Sequence, residues 1–158
     1  MAKITVAKNA GYCYGVRRAI EKAQGCAKAG EGPVYTAGPL IHNKFVVSQL
    51  EGQGIYSRDT IEAIPDGAQV VVRAHGITRQ QQEQLEQKGC RIVDATCPHV
   101  ARIHRIVEEE SAKGRHILII GSRAHPEVVG IASRCGQHTV LENLEEVAEF
   151  IKNLEEKP

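Results

Sequence analysis

Short runs rich in β-branched residues alternate with longer runs of helical periodicity along almost the whole chain. That alternation is the pattern of α/β proteins, in which parallel strands are joined by helices that cover the sheet. Lys3–Ala7 (KITVA) reads as a first strand, followed by a helix from about Gly15 to Ala29 with Val16, Ala19, Ile20, Ala23 and Ala27 at helical spacing. Val34–Ala37 is a second strand, and Asn43 caps a helix carrying Val46, Val47 and Leu50 that stops at Gly52 and Gly54. Ile55–Ser57 is a short strand, and Asp59–Ile64 a helical turn or two. The apolar run in Ala68–Arg73 (AQVVVR) suits a strand buried on both faces.

The Gln-rich helix Arg79–Lys88 ends at Gly89, Cys90–Ala95 is the next strand, and Pro98 opens a helix to about Lys113. Arg115–Ile120, a helix from Pro126 to about Arg134, the strand Thr139–Leu141 and a helix from Leu144 to about Leu154 complete the series. Asn143 and Glu146 stand as an Asx analogue of a capping box, with Leu144, Val147, Ile151 and Leu154 as the apolar stripe. No linker is evident. The expected architecture is small parallel sheets flanked by helices in repeated βα units, with the Cys97 turn as the boundary between two sheets.

Bulk properties exclude several classes of function. A net charge of +1 gives no electrostatic case for nucleic acid or a membrane surface, and two Phe, four Tyr and no Trp leave no base-stacking platform. No apolar run approaches the ~20 residues of a membrane span, and the N-terminal stretch lacks a signal-peptide core. The cytoplasm is the expected location. Five cysteines, an odd count without a signal, argue for reduced thiols and against a disulfide framework.

In open parallel sheets, ligands bind beyond the carboxyl ends of the strands, where loops and helix N-termini gather. Each long strand here leads within a few residues to a Cys or His: Cys13, His42, His75, Cys97 and His125 in turn. The other cysteines act as a control. Cys90 and Cys135 lie at the opposite edge and Cys26 within a helix, so all three read as packing residues. Taken singly, Cys13 fills a tight turn as readily as a site, Cys97 is a buried helix-start thiol, and each histidine is a loop residue bonded to a backbone carbonyl. Taken jointly, three His and two Cys at equivalent strand ends favour a common crevice. Both cysteines open helices, where the dipole favours thiolate. Glu127, in the first turn after His125, is either a helix cap or a proton carrier. His99, His104, His116 and His138 lack this placement and read as surface or structural residues.

Imidazoles and helix N-termini suit an anion such as a phosphate or diphosphate, and no Walker A or GxGxxG sequence points to a nucleotide. Two cysteines on separate turns fit a metal or cluster held between lobes. Zinc on Cys13, Cys97 and two histidines lacks the usual local spacing, whereas an iron–sulfur cluster takes thiolates, of which two are present.

The segments AGYCYGVRRAI, PLIHNKFVV, RAHGIT, VDATCPHV and HPEVVG together resemble the 4-hydroxy-3-methylbut-2-enyl diphosphate reductase family, in order and along essentially the whole chain. The resemblance implies two of three pseudo-equivalent α/β lobes: residues 1–96 as the first, with 1–12 as a strand of the absent third lobe, and 97–158 as an incomplete second. It implies a [4Fe–4S] cluster with Cys13 and Cys97 as two of three ligands, the third lying outside this chain. It further implies that His42, His75 and His125 contact the substrate diphosphate and that Glu127 delivers a proton. The implied enzyme is an oxidoreductase acting on an allylic CH–OH group in isoprenoid biosynthesis, fed by a ferredoxin- or flavodoxin-type donor. On this reading the chain is a truncated form, inactive until the third lobe is supplied in cis or in trans. A non-redox diphosphate- or anion-binding module and a zinc protein are the alternatives.

Overall fold

The computed structural model describes residues 3–8, 10–41 and 43–155. Two parallel sheets are present: four strands in the order β2-β1-β3-β4 and two strands, β5-β6. The first contains β1 (Val34–Ala37), β2 (Ile55–Arg58), β3 (Gln69–Val72) and β4 (Arg91–Asp94), with α1 (Tyr14–Lys28), α2 (Lys44–Glu51) and α3 (Arg79–Gln87) around it. The second contains β5 (Ile117–Ile120) and β6 (His138–Leu141), with α4 (Pro98–Ala112), α5 (Pro126–Ala132) and α6 (Leu144–Glu155).

The four-stranded sheet is covered on both faces. Val71 of β3 packs with Ala19 and Ala23 of α1 and with Val46 and Leu50 of α2. Its neighbours Val70 and Val72 point the other way, against Ile61, Ile64, Ile77 and Leu85 of α3. All four residues of β3 are therefore buried, as a central parallel strand requires. The path of the chain follows from this layering. From β1 it passes through α2 on one face to β2, then crosses to β3 and passes through α3 on the other face to β4. The strand order therefore reverses between β1 and β3, and their carboxyl ends flank the crevice that such a reversal opens.

Capping fixes the helices where the sequence predicts. Asn43 accepts from Phe45 N and Val46 N at 3.1 and 3.3 Å. Thr78 and Gln81 form a reciprocal capping box on α3. Asn143 Oδ1 accepts from Glu146 N at 2.9 Å, while the Glu146 carboxylate accepts from Glu142 N rather than closing the box on Asn143 N.

Two expectations are overturned. Lys3–Ala7 forms no strand: Ile4 and Val6 are 88% and 74% exposed, and neither edge of the four-stranded sheet pairs with them. An alternating segment becomes a strand only by finding an edge, and this one finds none among the described residues. Asp59–Ile64 is a turn closed by Ile64 N donating to Ile61 O, not a helix; Ile61 and Ile64 are pinned into the core instead. The α6 stripe is amphipathic but largely uncovered, with Leu144, Ile151 and Leu154 exposed, because the two-stranded sheet is too narrow to bury it. On β5 the outward Leu118 and Ile120 are likewise open, while Ile119 is buried. Among the described residues no helix is long and apolar enough to cross a membrane.

Candidate functional site

Cys97 lies at the junction of the two sheets. Its N–H donates to Ala74 O at 2.9 Å, continuing the ladder past β4, while its carbonyl accepts from Ala101 N and begins α4. Thr96 before it is set by its N–H donating to Asp94 Oδ1 at 2.8 Å, and the Thr96 carbonyl is held by Arg18 of α1 at 2.9 Å. The sulfur is seated against α1 itself. A methyl group placed on Gly15 would lie 2.9 Å from Cys97 Sγ and 3.0 Å from its Cβ, so only a bare backbone fits there.

That contact brings the start of α1 to Cys97, and the residue at the start of α1 is Cys13. Cys13 and Cys97 are both N-cap residues, and neither side chain is spent on a capping hydrogen bond. Two uncommitted thiols at adjoining helix N-termini are the donor type that a soft metal or cluster takes. Cys13 gets there differently from the expected route. It follows an unpaired segment rather than a strand end, and the packing of α1 on the sheet positions it.

The histidine side of the site spans both sheets. His75 follows β3 in a tight turn closed by Gly76 N donating to Arg73 O at 2.9 Å, with Gly76 at φ +76°. His125 is the N-cap of α5, and its Nδ1 accepts from Glu127 N at 3.2 Å. The neutral ring then carries its proton on Nε2. The two rings meet edge to face, with centroids 6.1 Å apart and planes at 89°. Glu127, half-buried in the first turn of α5, adjoins this pair. His42 lies outside the described residues, although Asn43 beside it is fixed as the cap of α2. Among the described residues no three His, Cys, Asp or Glu side chains form a metal-sized group.

The control cysteines keep to the opposite side. Cys26 packs on the core between α1 and the sheet, and Cys90 Sγ approaches Pro65 O. Cys135 Sγ donates to Ile131 O, and burial pushes its thiol pKa up. His116 contacts Thr139 Oγ1 at 2.8 Å, and His99 and His138 are exposed. His104 is structural. It is buried beneath the site, and a methyl on Gly76 would come within 2.8 Å of its Cε1. Desolvation, then the Arg134 charge, lowers its pKa to about 4.

Two features escaped sequence reasoning. Gly15 was legible only as a small residue in a helix, and Arg73 only as the end of a strand. A methyl on Gly38 (φ +79°) would sit 2.5 Å from Arg73 Nη1, so that guanidinium lies on the backbone where β1 ends.

Residues 4–157 match the family model described as LytB protein. The chain belongs to the LytB family. This LytB chain is 36% identical to the 4-hydroxy-3-methylbut-2-enyl diphosphate reductase of Aquifex aeolicus over 157 residues, covering 97% of itself and 54% of that protein. Against the reductase of the same description in Clostridioides difficile, identity is 39% over 138 residues, covering 87% and 50% respectively. A solved reductase described as the terminal enzyme of the non-mevalonate pathway superposes with a TM-score of 0.82 at 36% identity, over 96% of this chain and 55% of that one. The Plasmodium falciparum E-1-hydroxy-2-methyl-but-2-enyl-4-diphosphate reductase superposes with a TM-score of 0.85 at 32% identity, over 90% and 45%. The expected fold of small parallel sheets in βα units is thereby borne out. The LytB chain spans about half the length of the relatives it matches.

Proposed function

We propose that this chain is the two-lobe part of an iron–sulfur reductase that converts 4-hydroxy-3-methylbut-2-enyl diphosphate to isopentenyl and dimethylallyl diphosphates in isoprenoid biosynthesis. The observation that carries the reading is the bare backbone of Gly15 against Cys97 Sγ, which brings two uncommitted N-cap thiols to one corner. Residues 1–96 and 97–158 are the two lobes, and the third thiolate comes from a further lobe in cis or in trans. A cytoplasmic location and a small ferredoxin or flavodoxin donor belong to the same reading.

Cys13 and Cys97 would hold the cluster, which when bound supplies the electrons and a Lewis-acid iron for the allylic hydroxyl. The chain's own residues do the rest. His75 and His125, with His42, bind the diphosphate away from the reacting carbon, which orients the allyl group. The Nε2 proton of His125, left free because Nδ1 caps Glu127 N, is the one available to a phosphate oxygen. Glu127 holds the proton that leaves with the hydroxyl as water. Overall, two electrons and two protons break the C–O bond, leaving a C–H bond and one water.

Anaerobic reconstitution tests this. Iron and sulfide are expected below one cluster per chain, to rise when the rest of a family chain is added, and to vanish in Cys13→Ser/Cys97→Ser. Unchanged uptake in that double variant overturns the reading. The His75–His125 pair, which stands independently of the thiols, favours a second reading as a non-redox anion-binding module. Pyrophosphate binding to iron-free protein that is lost in His75→Ala, with no cluster uptake by any route, is its signature.

A further inference from the structure

Four arginines are half-buried: Arg18, Arg58, Arg73 and Arg134. Three of them have evident partners. Arg18 donates to Thr96 O, Arg58 donates to Ser57 O and lies over Tyr35 and Tyr56, and Arg134 donates to Ile77 O and Gly130 O beside Glu108. Arg73 has no carboxylate and no hydrogen-bond acceptor among the described residues, and its Nε is fully buried without one. A guanidinium carries five donors and cannot shed its charge, so leaving one half-buried and unmatched is costly. Burial lowers its pKa with no acidic neighbour to oppose that.

The position of this charge is specific. Arg73 follows β3, Gly38 follows β1, and the strand order reverses between those two strands. The guanidinium rests on Gly38, whose positive φ and missing Cβ leave it room: a methyl there would meet Nη1 at 2.5 Å and Cζ at 3.3 Å. Two residues further on is His75, which faces His125. An unmatched planar cation at the carboxyl edge of a parallel sheet, two residues before one of two paired imidazoles, has the geometry of half an ion pair whose other half is a ligand.

We infer that Arg73 is a charge-supplying group of the anion site, its guanidinium held over Gly38 at the β1–β3 crossover to pair with a phosphoryl oxygen of the ligand bound by His75. The inference deepens the reductase reading and rests on it for the identity of the anion as a diphosphate. Its charge distinguishes it from the imidazoles. A neutral histidine offers one hydrogen bond, whereas Arg73 contributes a fixed positive charge and a fork that matches two oxygens.

The test is calorimetry of inorganic pyrophosphate binding to the iron-free 158-residue chain at two ionic strengths. Arg73→Met is expected to weaken binding at least tenfold and to flatten its salt dependence. Its melting temperature should hold or rise, since a half-buried unmatched charge has been removed. Arg73→Lys should recover part of the affinity but not the bidentate share. Pyrophosphate affinity within twofold of the parent in folded Arg73→Met overturns the inference, and points to a polypeptide carboxylate as the true partner. The unaltered chain offers an independent check: the Arg73 Nε–H resonance should shift saturably as pyrophosphate is added, and an unmoved resonance also overturns it. Cluster uptake by Cys13 and Cys97 is scored separately, so the reductase reading and this one can fail apart.

Discussion

A methyl group at Gly15 would press on Cys97 Sγ at 2.9 Å, and neither partner is free to give way: α1 is packed on the sheet and Cys97 is tied to Ala74 O. Gly15→Ala is therefore expected to cost about 1–3 kcal/mol by overpacking, read from urea denaturation. It should also reduce iron uptake more than that loss of stability explains. His104 leads to a pH prediction. Its folded pKa, about 4, lies below the ordinary 6.5, because burial disfavours the charged ring. The unfolded chain then binds the extra proton first, so this contribution is full above pH 6.5 and is lost as pH falls towards 4. The loss is on the order of 3 kcal/mol across that window. Comparing urea midpoints at pH 7 and pH 5 checks it: His104→Asn should show a shallower fall, and an equal fall in both proteins would refute the assignment.

At the scale of elements, caps and strand ends were the most legible features. Asn43 and Pro98 announce α2 and α4 in sequence, and those helices and α3 start where predicted. Thr78→Ala removes half of a reciprocal box and should cost about 1 kcal/mol, measurable as a lower urea midpoint with an unchanged slope. What could not be read locally was decided by distant partners. Lys3–Ala7 has the composition of a strand but lacks an edge to join. Ile61 and Ile64 have helical spacing, yet they are claimed by the sheet face beneath α3. The thiols, His75, His125 and Glu127 were visible because Cys and His at loop starts stand out against ordinary turn chemistry. Gly15, Gly38 and Arg73 were not, because their meaning is a close approach between segments far apart in sequence.

For the whole molecule, Leu118, Ile120 and Leu144 leave apolar surface open on and around the second sheet, and Ile4 and Val6 are exposed in the N-terminal segment. Surface of that kind drives association in water. Sedimentation velocity over a hundredfold concentration range should show self-association, and Ile120→Lys together with Leu144→Lys should shift it towards monomer. The first sheet is covered on both faces and needs no such help.

Cys97 completes the ladder of one sheet through its N–H and starts the first helix of the other through its carbonyl, with no residue between to act as a spacer. The sulfur on that residue therefore cannot be indifferent to how the two sheets are set against each other. A change of inter-sheet angle is a change in where Sγ points, and whatever holds Sγ selects an angle. By thermodynamic reciprocity, a partner surface that locks the sheets together would also tighten the grip of the proposed ligand Cys97 on its metal, and the metal would tighten the grip of the partner to the same degree.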